Sequence, residues 1–148
     1  MPNLSKTASP QLIEILLVED NPGDIELTRE ALLEGKIANR LSVARDGVEA
    51  LEFLSNPAMP RPDMVLLDLN LPRKSGLEVL VIIKASPELR SIPVVVLTTS
   101  RDEADIANSY GAHANCYIAK PVDFDKFMRV VQSLEDFWLT VVRLPSRH

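Results

Sequence analysis

Cysteine is almost absent from this chain: Cys116 stands alone among 148 residues. One thiol allows no internal disulfide, which fits a reducing compartment. It lies in the apolar run from Ala114 to Ile118, where a buried structural thiol is the expectation. Long apolar runs are missing as well, and none approaches the roughly 18 residues that span a bilayer. The stretch from Met1 to Gln11 is polar, carries two prolines and lacks an apolar h-region. It is therefore read as a disordered tail and not as a signal peptide. A net charge of −5 gives no general attraction to nucleic acid or to an anionic membrane. These absences lead to the expectation of a cytoplasmic protein with neither nucleic acid nor membrane as a partner.

What is there reads as one domain, from residue 12 to residue 148, with an ordinary apolar content of 46%. Its centre is Met64-Val65-Leu66-Leu67-Asp68, an apolar run with the character of a strand buried on both faces. Pro72 breaks the chain after it, and Gly76 permits a sharp turn before the next helix. Four similar runs flank it: Ile13 to Val18, Leu41 to Ala44, Val94 to Leu97, and Ala114 to Ala119. Helical patterns alternate with them. One follows Asn21-Pro22-Gly23, with Asp24 as its expected cap and Gly35 as its stop. Others run from Gly47 to Leu54, Leu77 to Ala85, Asp102 to Tyr110, and from Asp123 to about Val142. Five strands alternating with five helices predict an α/β fold, a doubly wound parallel sheet with right-handed crossovers.

In a parallel sheet all the strand carboxyl ends share one edge. Glu19 and Asp20 end the first strand, Asp68 the third and Thr98 the fourth, while Lys120 follows the fifth. With strand order 2-1-3-4-5 these residues converge on one crevice. Asp68 taken singly could equally be a loop cap. Three carboxylates in one crevice, however, call for a cation. Mg²⁺ suits best, because it takes one or two carboxylates and keeps sites for water and phosphate oxygens. Thr98 and Lys120 add a hydroxyl donor and a mobile positive charge for a group that gains negative charge on Asp68. These are the parts of a phosphoryl-transfer site.

From Ile13 to about Leu134 the pattern resembles the receiver domain of two-component response regulators, a flavodoxin-like fold. Glu19-Asp20, Asp68, Thr98 and Lys120-Pro121 each follow the strand at which that family carries them. The resemblance implies that Asp68 accepts a phosphoryl group from a histidine kinase. It implies Mg²⁺ bound by Asp20, Asp68 and the backbone carbonyl of Asn70, with Glu19 acting directly or through water. Thr98 and Lys120 would contact the phosphoryl oxygens, next to a Lys120-Pro121 bond that is typically cis. Tyr117 matches the aromatic that swings inward when the threonine moves. Glu19 stands where many relatives have Asp, and Thr99 where a smaller Ala is common. Asn21-Pro22-Gly23-Asp24, Leu97-Thr98-Thr99-Ser100 and the ending Glu135 to Val142 resemble, more narrowly, the single-domain regulators paired with bacterial and cyanobacterial phytochromes. That implies a bacteriophytochrome-type kinase as donor.

Two other readings use the same residues. A haloacid-dehalogenase-like phosphatase also has an Asp nucleophile at a strand end, but needs a second acid two positions later as general acid. Asn70 occupies that position and cannot serve. A degenerate receiver kept as a scaffold would not need the complete set of site residues. His113 and His148 are read as surface residues, so no phosphohistidine relay is expected within the chain. Only Arg143 to His148 follow the last helix, so output is expected to pass through protein contact. Val130, Phe137, Trp138, Val141, Val142 and Leu144 add apolar surface beyond the expected end of the core and on a second face of that helix. They predict a homodimer through it, with the fourth helix and fifth strand alongside.

Overall fold

The computed structural model describes residues 12–34, 39–71 and 74–98, the backbone of 116–119, and Asp125 and Arg129, both helical and exposed. Its strands are β1 (Ile13–Val18), β2 (Asn39–Ala44), β3 (Met64–Asp68), β4 (Val94–Thr98) and β5 (Cys116–Ala119). Its described helices are α1 (Pro22–Glu34), α2 (Gly47–Ser55) and α3 (Gly76–Ala85). The strands form one sheet in the order β2-β1-β3-β4-β5, and every ladder is parallel. The sequence reversal between β1 and β3 leaves a crevice outside their carboxyl ends.

Alternation along the strands sorts the core into two layers. Val65 and Leu67 of β3 join Leu16, Val18, Val94 and Val96 against Ala50 of α2 and Val79, Leu80 and Ile83 of α3. Met64 and Leu66 join Ile15, Leu17, Val95 and Leu97 on the opposite face, against Ile25, Ala31 and Leu32 of α1. All five residues of β3 are buried, which is why its sequence is a continuous apolar run and not an alternating one. Such a strand cannot slip in register without stranding its terminal Asp68.

Local chemistry fixes the helix starts, and at α1 it corrects the expectation. Asn21, not Asp24, is the cap: its Oδ1 accepts a hydrogen bond from the Asp24 backbone N–H at 2.9 Å. Pro22 then sits at the first helical position, where its missing N–H costs nothing. Asp24 lies in the first turn, where its charge suits the helix dipole. At α2 the Asp46 side chain accepts from Glu49 N–H at 2.8 Å, and Glu49 accepts from Arg45 N–H at 2.9 Å. At α3 Ser75 and Glu78 form a reciprocal capping box.

β2 begins two residues earlier than its apolar pattern suggested. Asn39 and Arg40 pair with Ile13 and Glu14 of β1, and an Arg40–Glu14 ion pair at 3.3 Å accompanies them. An edge strand that is half exposed can carry such polar residues. At the other end of the sheet the proline-rich loop 56–62 is tied down by Arg61, which donates to the Glu88 carbonyl at 2.6 Å and Ser91 Oγ at 2.9 Å. Nearby, Lys84 Nζ donates to the carbonyls of Arg90 and Ile92 at 3.3 and 3.4 Å. Burial pushes that ammonium below the usual lysine value. The expected helix from Asp102 to Tyr110, the expected N-terminal tail, and the last helix apart from Asp125 and Arg129 lie outside the described residues.

Candidate phosphoacceptor and cation site

The site grows from three adjacent strand ends. β1 stops at Val18, but its ladder continues one step, with the Glu19 N–H donating to the Ala44 carbonyl at 2.9 Å. Glu19 is thus fixed in backbone and fully buried in side chain. Its Oε2 accepts from the Asn21 N–H at 3.2 Å. One residue therefore does two jobs: Asn21 holds the Glu19 carboxylate with its backbone and caps α1 with its side chain. Asp20, between them, is exposed.

Asp68 closes β3 opposite Leu97, and only 3% of it is exposed. Its Oδ1 accepts from the Asn70 N–H at 3.0 Å, the Asx-turn geometry that the loop-cap reading required. The turn and the site are not alternatives, because the second carboxylate oxygen and the remaining lone pairs are not used by that bond. The Leu69 N–H donates to the Leu97 carbonyl at 3.3 Å, and Gly76 N–H returns to the Leu69 carbonyl at 3.1 Å. Gly76 must be glycine for a steric reason. A Cβ there would collide with the Asp68 carbonyl oxygen and stand 2.5 Å from Leu69 Cα.

The result is a cluster. Glu19, Asp20 and Asp68 each place a carboxylate oxygen so that all three lie within 4.8 Å of one another. Two of the three are buried, which strengthens their mutual repulsion. A hard, oxygen-seeking divalent cation is the partner such a donor set fits. Thr98 ends the neighbouring strand one residue past the Asp68–Leu97 pair and is buried. Tyr117 pairs with Val96 in β5, which places its backbone one strand farther from Asp68. Asn70 is exposed just beyond β3. Lys120, one residue past β5, lies outside the described residues.

Sequence reasoning brought the acidic cluster and Thr98 to the correct edge but missed three supports. The Asn21 cap has its own sequence signal, an Asn followed by Pro at the helix start. The Ser75-x-x-Glu78 capping box was also present in the sequence. Close backbone approach at Gly47 and Gly76 leaves no such local signature.

A parallel sheet of this order, with an acidic trio at its carboxyl edge and a buried hydroxyl on the next strand, defines a class. The response regulator receiver domain family matches residues 15–132, and the chain belongs to it. Among individual relatives, Response regulator Rcp1 of Synechocystis sp. is 45% identical over 147 residues, covering 97% of this chain and 99% of its own. The solved structure of the bacteriophytochrome response regulator AtBRR is 50% identical with a TM-score of 0.77, covering 87% of this chain and 96% of that one. The phosphorylated cyanobacterial phytochrome response regulator RcpA is 45% identical with a TM-score of 0.73, covering 91% and 99%. Rcp1 has also been solved in a Mn²⁺-bound form, 47% identical with a TM-score of 0.71, covering 90% and 99%. The chain is a receiver-domain signalling protein with a flavodoxin-like parallel sheet. Among the described residues no helix is long and apolar enough to cross a membrane.

Proposed function

We propose that the protein is the phosphoacceptor of a two-component system whose donor is a phytochrome-class histidine kinase. The phosphoacceptor role is carried by the convergence of Glu19, Asp20 and Asp68 within 4.8 Å at the sheet edge where Thr98 also ends its strand, and the donor class by the similarity to phytochrome response regulators. An Asp68 carboxylate oxygen attacks the phosphorus of a phosphohistidine. A P–O bond forms as the P–N bond breaks, and the electron pair returns to the imidazole, which takes up a proton. Asp20, Asp68 and the Asn70 backbone carbonyl would hold Mg²⁺, with Glu19 contributing directly or through water. When bound, that ion neutralises charge on the transferring group. Asp68 keeps its orientation through the Asn70 N–H, Thr98 donates its hydroxyl to a phosphoryl oxygen, and Lys120 pairs with another. Displacement of Thr98 opens space for the Tyr117 ring, so phosphorylation selects a pre-existing arrangement of the β4–β5 face.

The proposal extends to assembly and to the finer fold. Residues from Asp123 to about Val142 form the extended last helix, and the receiver unit runs from residue 12 to residue 148. The exposure of Asp125 and Arg129, one turn apart, supports an inner face on the other side, through Phe124, Phe127, Met128 and Val131. Phe137, Trp138, Val141 and Val142 then join two copies in a homodimer, with the fourth helix and β5 beside them. The protein works in the cytoplasm, where its kinase donor would be. A phosphatase of the haloacid-dehalogenase type is not favoured, since Asn70 replaces the general acid. Incubation with a ³²P-labelled phytochrome histidine kinase tests the reading. Label should pass to the wild type and not to Asp68→Asn; label retained in Asp68→Asn would exclude Asp68 as acceptor.

A further inference from the structure

The loop from β3 to α3 carries Asn70 and is packed against backbone at two glycines. One, Gly76, admits the Asp68 carbonyl. The other is Gly47, the first residue of α2, far away in sequence and buried. A Cβ on Gly47 would collide with the Lys74 carbonyl oxygen, lie 2.7 Å from Lys74 Cβ and lie 2.8 Å from the Lys74 carbonyl carbon. Two of these three atoms are backbone, so the loop itself would have to shift. Nor is α2 free to retreat, because Ala50, one turn on, is buried in the core beneath the sheet. Only three residues separate Lys74 from Asn70 in the sequence, so a displacement at Lys74 falls close to the Asn70 backbone.

We propose that the β2–α2 turn is a positioning element for the cation site. The missing side chain at Gly47 seats Lys74 against α2, and that seat sets the backbone at Asn70. The inference rests on the reading of the Asn70 carbonyl as a cation ligand. Mg²⁺ tolerates little departure from octahedral geometry, so a few tenths of an ångström at one ligand weaken it. Asp68 itself is fixed by β3, so the loss falls on cation affinity and not on phosphoryl transfer at saturating Mg²⁺. Helix propensity alone argues the opposite, because Gly→Ala within a helix should be neutral or stabilising.

Calorimetric titration of Mg²⁺ into wild type and Gly47→Ala tests this, with far-UV circular dichroism to check the fold. Affinity should fall about tenfold or more, the scale seen when supports behind metal ligands are lost. The acetyl phosphate reaction at saturating Mg²⁺ should stay near wild type. A folded Gly47→Ala with wild-type Mg²⁺ affinity overturns the proposal. Should that variant not fold, hydrogen exchange on the wild type decides. Mg²⁺ should then protect amides 46–49 together with those of the β3–α3 loop, and protection confined to the loop overturns the proposal. A wild type that binds Mg²⁺ yet takes no phosphoryl group contradicts the phosphoacceptor reading and leaves the positioning role intact. No Mg²⁺ binding at all overturns both.

Discussion

Removing one charge from the acidic cluster should make the fold more stable. Glu19 and Asp68 are both buried, and their carboxylate oxygens lie within 4.8 Å. At that separation and an effective dielectric of about 20, Coulomb's law gives about 3.5 kcal/mol of repulsion. The unfolded chain does not carry this penalty. Asp68→Asn removes it and keeps an oxygen that can accept from the Asn70 N–H. The weaker hydrogen bond to a neutral acceptor returns about 1 kcal/mol. The net gain in EDTA is then at most about 2 kcal/mol, or about 6 °C in thermal midpoint for a chain of this size, less whatever attraction Asp68 loses to the Lys120 ammonium proposed at the same edge. Saturating Mg²⁺ should raise the wild type strongly and the variant much less, because binding to the folded state stabilises in proportion to affinity. Differential scanning calorimetry of both proteins, with Mg²⁺ and with EDTA, reads all four values. The reasoning fails if Asp68→Asn is the less stable protein in EDTA, or if Mg²⁺ stabilises the two equally.

Three other outcomes are expected. Asn21→Ala should cost about 1 kcal/mol in urea unfolding through the lost α1 cap, and it should leave the Glu19 contact, which uses the Asn21 backbone. Thr98→Ala should accept phosphate but show little gain in partner or dimer affinity on phosphorylation; a gain equal to the wild type's would rule out the threonine-to-tyrosine coupling. Sedimentation velocity at micromolar concentration should find a wild-type dimer, and a folded monomer when Phe137→Lys and Val141→Lys are combined. A wild-type monomer with and without acetyl phosphate would leave the apolar end of the last helix to another partner.

The parts of this molecule legible in the sequence are those governed by short-range pattern. β3 announces itself because burial on both faces demands an unbroken apolar run, and β1 is readable for the same reason despite Glu14. Glu19, Asp20, Asp68 and Thr98 could be placed because a parallel sheet sends every strand end to one edge. β2 was partly missed because Asn39 and Arg40 belong to an edge strand, where pairing needs no apolar side chain. Asn21 and Asp24 are both good capping residue types, and only the position of Pro22 separates them. Gly47 was least accessible of all. Its role is set by Lys74, a residue brought to it by the packing of α2 beside the β3–α3 loop.

The central claim is that Asp68 takes a phosphoryl group with the help of Mg²⁺, and intact-protein mass spectrometry after incubation with acetyl phosphate tests it most directly. The wild type should gain the mass of one phosphoryl group with Mg²⁺ and none with EDTA, and Asp68→Asn should gain none under either condition while remaining folded. A phosphoryl group acquired without a divalent cation, or acquired by Asp68→Asn, would contradict it.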